Sequence, residues 1–316
     1  MSTFDSAAQA PALPVPAVAE TKAPRRSPLA GNWWRHLVAI VAIVICLFPV
    51  VYIASAAFSK NPSLTGASAI PSSITLHNFG LLLHGSKATS EQTFASVHYV
   101  RWFVNSMIVC ISTAVLTVLL GALAAYAFSR FRFRGRRMGM LFLLLIQMFP
   151  QLLAIVAIYL IVLHIGNVVP QIGLNTLTGL VLVYMGGALG VNTWLLKGFF
   201  DTIPADLDES ARVDGATPAQ VFWGVVLPLA TPVLAVVGLF SFVATLNEFA
   251  IVSALIGTKN NFTLPLGMRG FIDQQYGQHW GPFAAGVLIA AVPAVILFQF
   301  LQRYIVSGLT QGGVKG

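Results

Sequence analysis

Six long apolar segments constrain this sequence more than any other feature. They cover about residues 37–58, 101–129, 138–163, 174–196, 228–256 and 283–305. A helix rises about 1.5 Å per residue, so roughly 20 apolar residues cross a hydrocarbon core about 30 Å thick. The strands of an outer-membrane barrel would instead alternate apolar and polar residues over about ten positions. The runs therefore predict an all-α membrane protein with six transmembrane helices.

The composition excludes a soluble enzyme. Of 316 residues, 57% are hydrophobic and only 9% are charged, whereas a soluble domain carries roughly 25% charged residues. Cys46 and Cys110 both lie inside apolar runs, and the sequence contains neither a CxxC pair nor other spacing typical of metal ligands. We therefore predict no disulfide and no metal site, and structural roles for the six scattered histidines.

The distribution of basic residues predicts the orientation of the spans. Thirteen of the 18 Lys and Arg residues fall on the side of the N-terminal tail, including the cluster at 129–137, and five fall on the other side. Basic residues concentrate in cytoplasmic loops, so we expect both termini in the cytoplasm. Residues 1–36 are expected to form a flexible cytoplasmic tail, residues 37–306 the membrane domain, and residues 307–316 a C-terminal tail. The cluster at 129–137 fits a topology signal, with docking of a cytoplasmic protein as the alternative; a nucleic-acid partner is not indicated.

The segment after the fourth span is unusual for a short membrane loop. Residues 199–232 hold five of the ten acidic residues. Pro204 suits the first position of a helix, and Gly215 suits the position just past a helix end, where a positive φ favours glycine. Thr217 and Gln220 then have the spacing of a capping box. These signals predict two short helices joined at Gly215, with a surface suited to a cytoplasmic protein partner.

One acidic residue lies deep in a predicted span. Glu248, beside Asn247 in span five, would cost roughly 2.5–3.5 kcal/mol in lipid if it had no partner. It is therefore expected to face the bundle interior, another subunit or water. A structural or gating role is favoured over direct substrate contact. A proton-coupled secondary transporter stays an alternative, because membrane carboxylates often bind protons.

The acidic loop also carries a signature. Glu209-Ser210-Ala211 is followed after three residues by Gly215 and, nine residues later, by Val225-x-Leu227-Pro228. This pattern resembles the EAA signature of bacterial ABC-importer permeases (E-A-A, three residues, G, nine residues, I-x-L-P), with Ser210 in place of Ala and Val225 in place of Ile. Four further segments are similar to the MalG-type permeases of maltose/maltodextrin importers: 146–159, 172–176, 214–218 and 308–316.

The resemblance implies a type I ABC-importer permease of the bacterial inner membrane that is not itself catalytic. In that family a second, larger MalF-like permease pairs with this one. A MalK-like ATPase dimer beneath them binds ATP and Mg²⁺, so this chain is expected to hold no cofactor. The EAA helices, here at about 203–226, sit in clefts of the ATPase. The implied coupling residues are Glu209, Ser210, Ala211, Arg212, Asp214, Gly215, Leu227 and Pro228. The family's C-terminal tail reaches the ATPase dimer interface, which implicates Gln311, Gly312, Gly313 and Lys315.

On the opposite face, the resemblance implies that the loop at 257–267 probes a periplasmic sugar-binding protein. The candidate tip residues are Lys259, Asn260 and Asn261. The implied function is ATP-driven import of maltose, maltodextrin or a related oligosaccharide, with a different sugar or small solute as the alternative. A secondary transporter would need repeats with broken helices or several intramembrane charges, and an intramembrane enzyme a motif such as GxSG or HExxH. The sequence offers neither, and it contains no GxxxxGK[ST] phosphate loop.

Overall fold

The computed structural model describes residues 33–60, 73–84, 98–273 and 279–312, with side chains as far as Tyr304. Within these ranges the chain is helical, apart from turns and one isolated β-bridge between Ser59 and Ile74. The α-helices in chain order are α1 (Trp33–Phe58), α2 (His77–His84), α3 (Tyr99–Arg130), α4 (Arg136–Met148), α5 (Gln151–Val168), α6 (Leu177–Phe200), α7 (Ala205–Val213), α8 (Pro218–Val221), α9 (Leu227–Leu229), α10 (Thr231–Asn247), α11 (Ala250–Leu255), α12 (Leu264–Met268) and α13 (Trp280–Gly312).

The chain divides within α1 into one unit ending at Pro49 and another beginning at Val50. In the described part of the first unit every side chain is exposed and most are apolar. A helix that is apolar on all sides suits a lipid environment. The helix begins at Trp33, inside the stretch predicted as tail. Residues 1–32 of that predicted tail lie outside the described residues.

The described helices provide a counterpart for each of the six predicted spans. Five of them, α1, α3, α5, α6 and α13, are long and apolar enough to cross a membrane. The sixth is a bent pair, in which residues 218–229 meet α10 at 77°. The predicted all-α membrane fold is confirmed, and Pro49 and Pro293 lie inside α1 and α13 without ending either helix.

Predicted span three, 138–163, is not one helix. The sequence favours a kink at Pro150, but α4 ends at Met148 and α5 begins at Gln151. A proline disfavours the helical conformation of the residue before it, and Phe149 is extended at φ −70° and ψ 129°. The apolar crossing is therefore carried by α5, and α4 is a separate amphipathic helix before it.

Predicted span five, 228–256, is also interrupted. Its main helix, α10, is 17 residues long and ends at Asn247, which covers about 26 Å at about 1.5 Å per residue. Glu248 then turns extended at ψ 124°, and the six-residue α11 starts at Ala250. The prediction of one continuous helix here was wrong. The break falls at Glu248, the carboxylate inside the predicted span.

The second unit is organised around α3, which packs against α6, α10 and α12. α3 meets α6 at Gly121, where an added Cβ would lie in van der Waals contact with Leu196, 3.4 Å away. One end of α3 joins the coupling-end cluster, which consists of Ala122, Ala125, Tyr126, Leu196, Phe200, Ile203, Val221, Phe222, Val226, Ala230 and Val237. The other end joins the loop-end cluster, which consists of Ala57, Leu82, Tyr99, Trp102, Leu264, Met268, Phe271, Ala284 and Ala285. Each candidate site therefore rests on one end of the same helix.

Candidate functional sites

The turn at Gly215 joins α7 and α8 as the sequence predicts. Gly215 has φ +86°, a conformation that glycine adopts without a Cβ clash. Its N–H donates to the Arg212 carbonyl at 3.0 Å, and the Ala216 N–H donates to the Ala211 carbonyl at 2.9 Å. These two bonds form a complete Schellman motif at the end of α7. Pro204 immediately precedes α7 rather than occupying its first position.

The predicted capping box at the start of α8 is present. The Gln220 backbone N–H donates to Thr217 Oγ1 at 3.3 Å, and the Thr217 backbone N–H donates to Gln220 Oε1 at 2.7 Å. A cap of this kind contributes about 1 kcal/mol. The chain continues through a π-helical turn at Phe222–Val226 into α9, so local bonds fix the direction of residues 205–229, the coupling segment.

The predicted coupling residues divide between an outer and an inner surface of the segment 205–229. Ala211 and Leu227 are partly buried against the coupling-end cluster. The others are exposed, namely Glu209, Ser210, Arg212, Asp214, Gly215 and Pro228. The segment therefore exposes charges of both signs beside apolar side chains such as Val213 and Trp223, while its inner side is attached to the membrane helices.

Arg130 and Asp208 form a buried ion pair that the sequence does not predict. Arg130 Nε lies 2.9 Å from Asp208 Oδ2, and the two side chains are only 10% and 5% exposed. Arg130 Nη2 also donates to the Ile203 carbonyl at 2.9 Å. Arg130 is the last residue of α3, so one side chain fastens α7 and the start of the coupling segment to that helix. No local sequence pattern predicts this pairing, because Arg130 is one of five arginines in the basic cluster at 129–137.

Aromatic packing strengthens the same attachment. The rings of Tyr126 on α3 and Phe222 lie 5.0 Å apart between centroids, and the Tyr126 hydroxyl is 3.5 Å from the Pro218 carbonyl. Edge or tilted ring pairs add about 0.5–1.5 kcal/mol beyond area burial. The end of α3 thus holds α7, α8 and the π-helical turn together as one body.

The end of α6 is tied to the end of α3 through Asp201. Ser129 Oγ donates to Asp201 Oδ1 at 2.7 Å, and Lys197 forms an ion pair with Asp201 Oδ2. Partial burial acts to raise the pKa of the Asp201 carboxyl. The hydrogen bonds from Lys197 and Ser129 and the charges of Lys197 and Arg136 outweigh it and lower the pKa below its ordinary value. Asp201 is therefore ionised at neutral pH and acts as an acceptor.

The loop at 257–263 is held against α3 by its backbone. The Trp102 indole N–H donates to the Lys259 carbonyl at 2.9 Å, and Asn105 donates to the Asn260 and Phe262 carbonyls, each at 2.9 Å. The Ser106 hydroxyl accepts from the Leu264 N–H at 2.7 Å. Trp102, Asn105 and Ser106 have the i, i+3, i+4 spacing of one helix face, and this polar stripe inside an apolar span is a signal that could have located the contact.

Of the three predicted tip residues, two point outward and one inward. Lys259 and Asn260 are exposed, whereas Asn261 is partly buried and its amide donates to the Asn175 carbonyl. Asn175 also accepts at Oδ1 from the Gly257 N–H at 2.6 Å and the Thr258 N–H at 3.0 Å. Its φ is +59°, which is unusual for a residue other than glycine and tolerated by asparagine. The 172–176 segment resembles the MalG-type permeases, but nothing in that resemblance predicts this role for Asn175.

Both carboxylate oxygens of Glu248 accept hydrogen bonds from groups of the second unit. Its Oε1 accepts from the Ile251 N–H at 2.9 Å, and its Oε2 accepts from the Val252 N–H at 3.2 Å and the Tyr184 hydroxyl at 2.6 Å. The carboxylate therefore caps α11 at the break in span five and ties it to α6. Asn247 beside it is exposed and donates to the Val243 carbonyl at 2.8 Å.

The remaining predicted site residues belong to the C-terminal tail. Gln311 and Gly312 end α13, but both lie beyond Tyr304, the last residue of that helix whose side chain is described. Gly313 and Lys315 fall outside the described residues altogether. In the described part of the chain no group of three or more His, Cys, Asp or Glu side chains is placed to hold a metal ion.

Comparison with known proteins identifies the class of protein that these elements build. Residues 117–311 match the family described as the binding-protein-dependent transport system inner membrane component. This match covers more than half of the chain, including the coupling segment and the loop at 257–263. The chain belongs to that family.

Two curated relatives show a similar permease over nearly the full chain. The galactooligosaccharides transport system permease protein GanQ of Bacillus subtilis is 38% identical over 89% of this chain and 94% of its own length. The maltose/maltodextrin transport system permease protein MalG of Photorhabdus laumondii is 39% identical over 90% of this chain and 97% of its own. The recognition of an EAA-type permease similar to MalG is therefore confirmed.

A solved structure shows the same fold at lower sequence identity. A bacterial ABC transporter involved in the import of the acidic polysaccharide alginate contains a chain that superposes with a TM-score of 0.70. The match covers 86% of this chain and 95% of that one at 21% identity. The type I importer permease fold expected from the resemblance is confirmed.

Proposed function

We propose that this chain is the smaller membrane permease of an ATP-driven importer for maltose, maltodextrin or a related oligosaccharide. The observation that carries the proposal is the coupling segment, 205–229, whose outer side exposes charged side chains beside apolar ones such as Val213 and whose inner side is attached to α3. The relatives' names support the substrate class, since they specify galactooligosaccharides and maltose/maltodextrin.

The coupling segment acts as a rigid lever in this proposal. Exposed Glu209, Ser210 and Arg212 contact the ATPase, and Asp214 borders the turn that Gly215 makes possible. Any displacement of α7 must move the end of α3, because breaking the Arg130–Asp208 pair would leave a charge buried without its partner. Leu227 and Pro228 carry the same motion toward α10.

The proposed complex contains three further kinds of subunit. A larger MalF-like permease pairs with this chain in the bacterial inner membrane. A cytoplasmic MalK-like ATPase dimer binds ATP and Mg²⁺ and supplies all the hydrolysis, so this chain carries no cofactor. A periplasmic sugar-binding protein delivers the substrate to the external face.

The loop at 257–263 is the proposed contact for the binding protein. Exposed Lys259 and Asn260 meet that partner, while Asn261 keeps the loop attached to Asn175. Because the loop backbone is fastened to Trp102 and Asn105, a push on the loop reaches α3, the helix that also carries the coupling segment. The C-terminal residues Gln311, Gly312, Gly313 and Lys315 are proposed to reach the ATPase dimer interface.

The alternative of a proton-coupled carrier is disfavoured by the surroundings of Glu248. Both carboxylate oxygens are occupied by two backbone N–H groups and the Tyr184 hydroxyl. Those donors give Glu248 a structural use, because they hold the start of α11 at the break that follows α10. We propose that it fixes the break in span five and does not carry protons.

Reconstitution of the complete complex tests the proposal. The measurement is ATPase stimulation and uptake in proteoliposomes, with the binding protein loaded with each of a panel of maltodextrins, galactooligosaccharides and unrelated sugars. We expect stimulation by maltose or a related oligosaccharide only when binding protein and ATP are both present. Uptake by the isolated chain, driven by a proton gradient, would establish the carrier alternative.

A further inference from the structure

A large groove lies between α4 and α6. Its volume is about 1140 Å³. The side chains that give it its character are Arg136, Arg137, Leu141, Leu144, Trp194 and Lys197. None of these residues has a part in the function proposed above.

The charged side chains gather at one end of the groove. Arg136 and Arg137 open α4, and Lys197 lies in the last turn of α6. Because the groove is lined by the start of one helix and the end of the other, the three cations meet at the same end. Asp201 is the one acidic residue of the lining and pairs with Lys197, while Arg136 Nη2 donates to the Ser129 carbonyl at 3.4 Å. Three cations therefore face one carboxylate, and Arg137 is exposed with no acidic partner among the described residues.

The apolar side chains lie farther along the same two helices. Leu141 and Leu144 follow the arginines by one to two turns of α4, and Trp194 precedes Lys197 by one turn of α6. Leu141 and Trp194 are 48% and 53% exposed, so the chain itself leaves this wall uncovered. Tryptophan is typical of the membrane–water interface, which places the cations at headgroup level and the leucines at the level of acyl chains.

We propose that this groove binds one anionic phospholipid, with its phosphate between Arg136 and Arg137 and an acyl chain along Leu141, Leu144 and Trp194. Basic pockets beside membrane helices attract anionic headgroups, whereas a zwitterionic lipid gains little from the excess of positive charge. A soluble phosphate would satisfy the arginines but would leave the apolar wall exposed. The order of charges and apolar side chains along both helices matches the order of headgroup and chain in a phospholipid.

Lipid retention by the full-length chain tests the proposal. The purified protein is incubated in detergent with equal amounts of dioleoyl phosphatidylglycerol and dioleoyl phosphatidylcholine, and retained lipid is counted by native mass spectrometry. We expect phosphatidylglycerol to be preferred in wild type. Each basic side chain near an anionic surface contributes about fivefold in affinity, so Arg136→Gln/Arg137→Gln together should lower phosphatidylglycerol binding by about 25-fold.

The chain offers a matched control within the same basic cluster. Arg132→Gln/Arg134→Gln removes two charges from the same loop, but neither residue lines the groove, and its retention should stay within about twofold of wild type. Equal losses of phosphatidylglycerol binding in both variants would show that only the overall positive charge matters, and would overturn the proposal. Displacement of the lipid by excess inorganic phosphate would show a soluble-anion site instead.

A photo-cross-linking residue separates a lipid from a protein occupant. With Leu141→p-benzoylphenylalanine in the intact complex, irradiation should add the mass of a phospholipid to this chain. An adduct with another transporter subunit would show that protein covers the groove, and would overturn the proposal. Chromatographic elution at the wild-type volume confirms that each variant is folded before its lipid content is compared.

Discussion

At the scale of single residues, Asp208 is the most consequential side chain that the sequence did not single out. Removing one partner of a buried ion pair costs about 3–5 kcal/mol, because the other charge stays buried. We expect Asp208→Asn to release α7 from Arg130 and abolish transport while membrane insertion stays normal. Asp206→Asn, on the exposed side of α7, is the matched control and should transport as wild type does. Equal transport by the two variants would show that the ion pair has no part in coupling.

Gly215 tests the backbone of the same segment. Its φ of +86° strains other residues, yet a Cβ there would have no heavy atom within 4 Å. Gly215→Val should therefore act through backbone strain alone, at about 1–2 kcal/mol, and lower transport and co-purification of the ATPase. Gly215→Asn should lose less transport activity than Gly215→Val, since asparagine adopts positive φ more readily. A wild-type transport rate for Gly215→Val would contradict the proposed role of the turn.

At the scale of structural elements, the loop at 257–263 depends on Asn175. Asn175→Ala removes the Oδ1 acceptor and adds strain at positive φ, whereas Asn175→Gly removes the acceptor only. Each lost hydrogen bond contributes about 0.5–1.5 kcal/mol, so both variants should loosen the loop, the alanine variant more. We expect basal ATPase activity of the complex to be unchanged and its stimulation by the binding protein to fall several-fold. Normal stimulation in both variants would show that the loop needs no such anchor.

The break in span five is a second element that one side chain maintains. Glu248→Leu leaves the Ile251 and Val252 N–H groups and the Tyr184 hydroxyl without their acceptor, which costs about 1–3 kcal/mol for each unsatisfied group. We expect a lower thermal unfolding midpoint and loss of transport. Tyr184→Phe removes only one of the three hydrogen bonds and should lower the unfolding midpoint less. If Glu248→Leu were as stable as wild type, the capping role would be wrong.

The elements that sequence predicts best are those whose bonds are local. Gly215 and the Thr217–Gln220 box bond to residues within five positions, so their chemistry is visible in the sequence. Arg130 and Asp208 are far apart along the chain, and only the packing of α7 on α3 brings them together. The breaks at Phe149 and Glu248 were missed for a related reason, since hydropathy records that a segment is apolar and not whether its helix is continuous. Trp102, Asn105 and Ser106 are an intermediate case. Their spacing on one helix face is visible in the sequence, but the loop that they bind is not.

At the scale of the whole molecule, α3 connects the two candidate sites. One end carries the loop through Trp102 and Asn105, and the other carries the coupling segment through Tyr126 and Arg130. A close-packed helix transmits displacement along its axis without a new contact. Delivery of sugar at one face and nucleotide-driven closure at the other would therefore act on the same rigid element.

This arrangement requires the two ends of α3 to lie on opposite sides of the membrane, which the distribution of basic residues also predicts. In a Cys46→Ala/Cys110→Ala background, a cysteine at exposed Asn260 should react with a membrane-impermeant maleimide in intact spheroplasts. A cysteine at exposed Ser210 should react only after permeabilisation, with the chain produced without its ATPase so that no partner shields the site. Labelling of both positions from outside would place the coupling segment outside the cytoplasm. The proposed contact with a cytoplasmic ATPase, and with it the role of α3 as the link between the faces, would then fail.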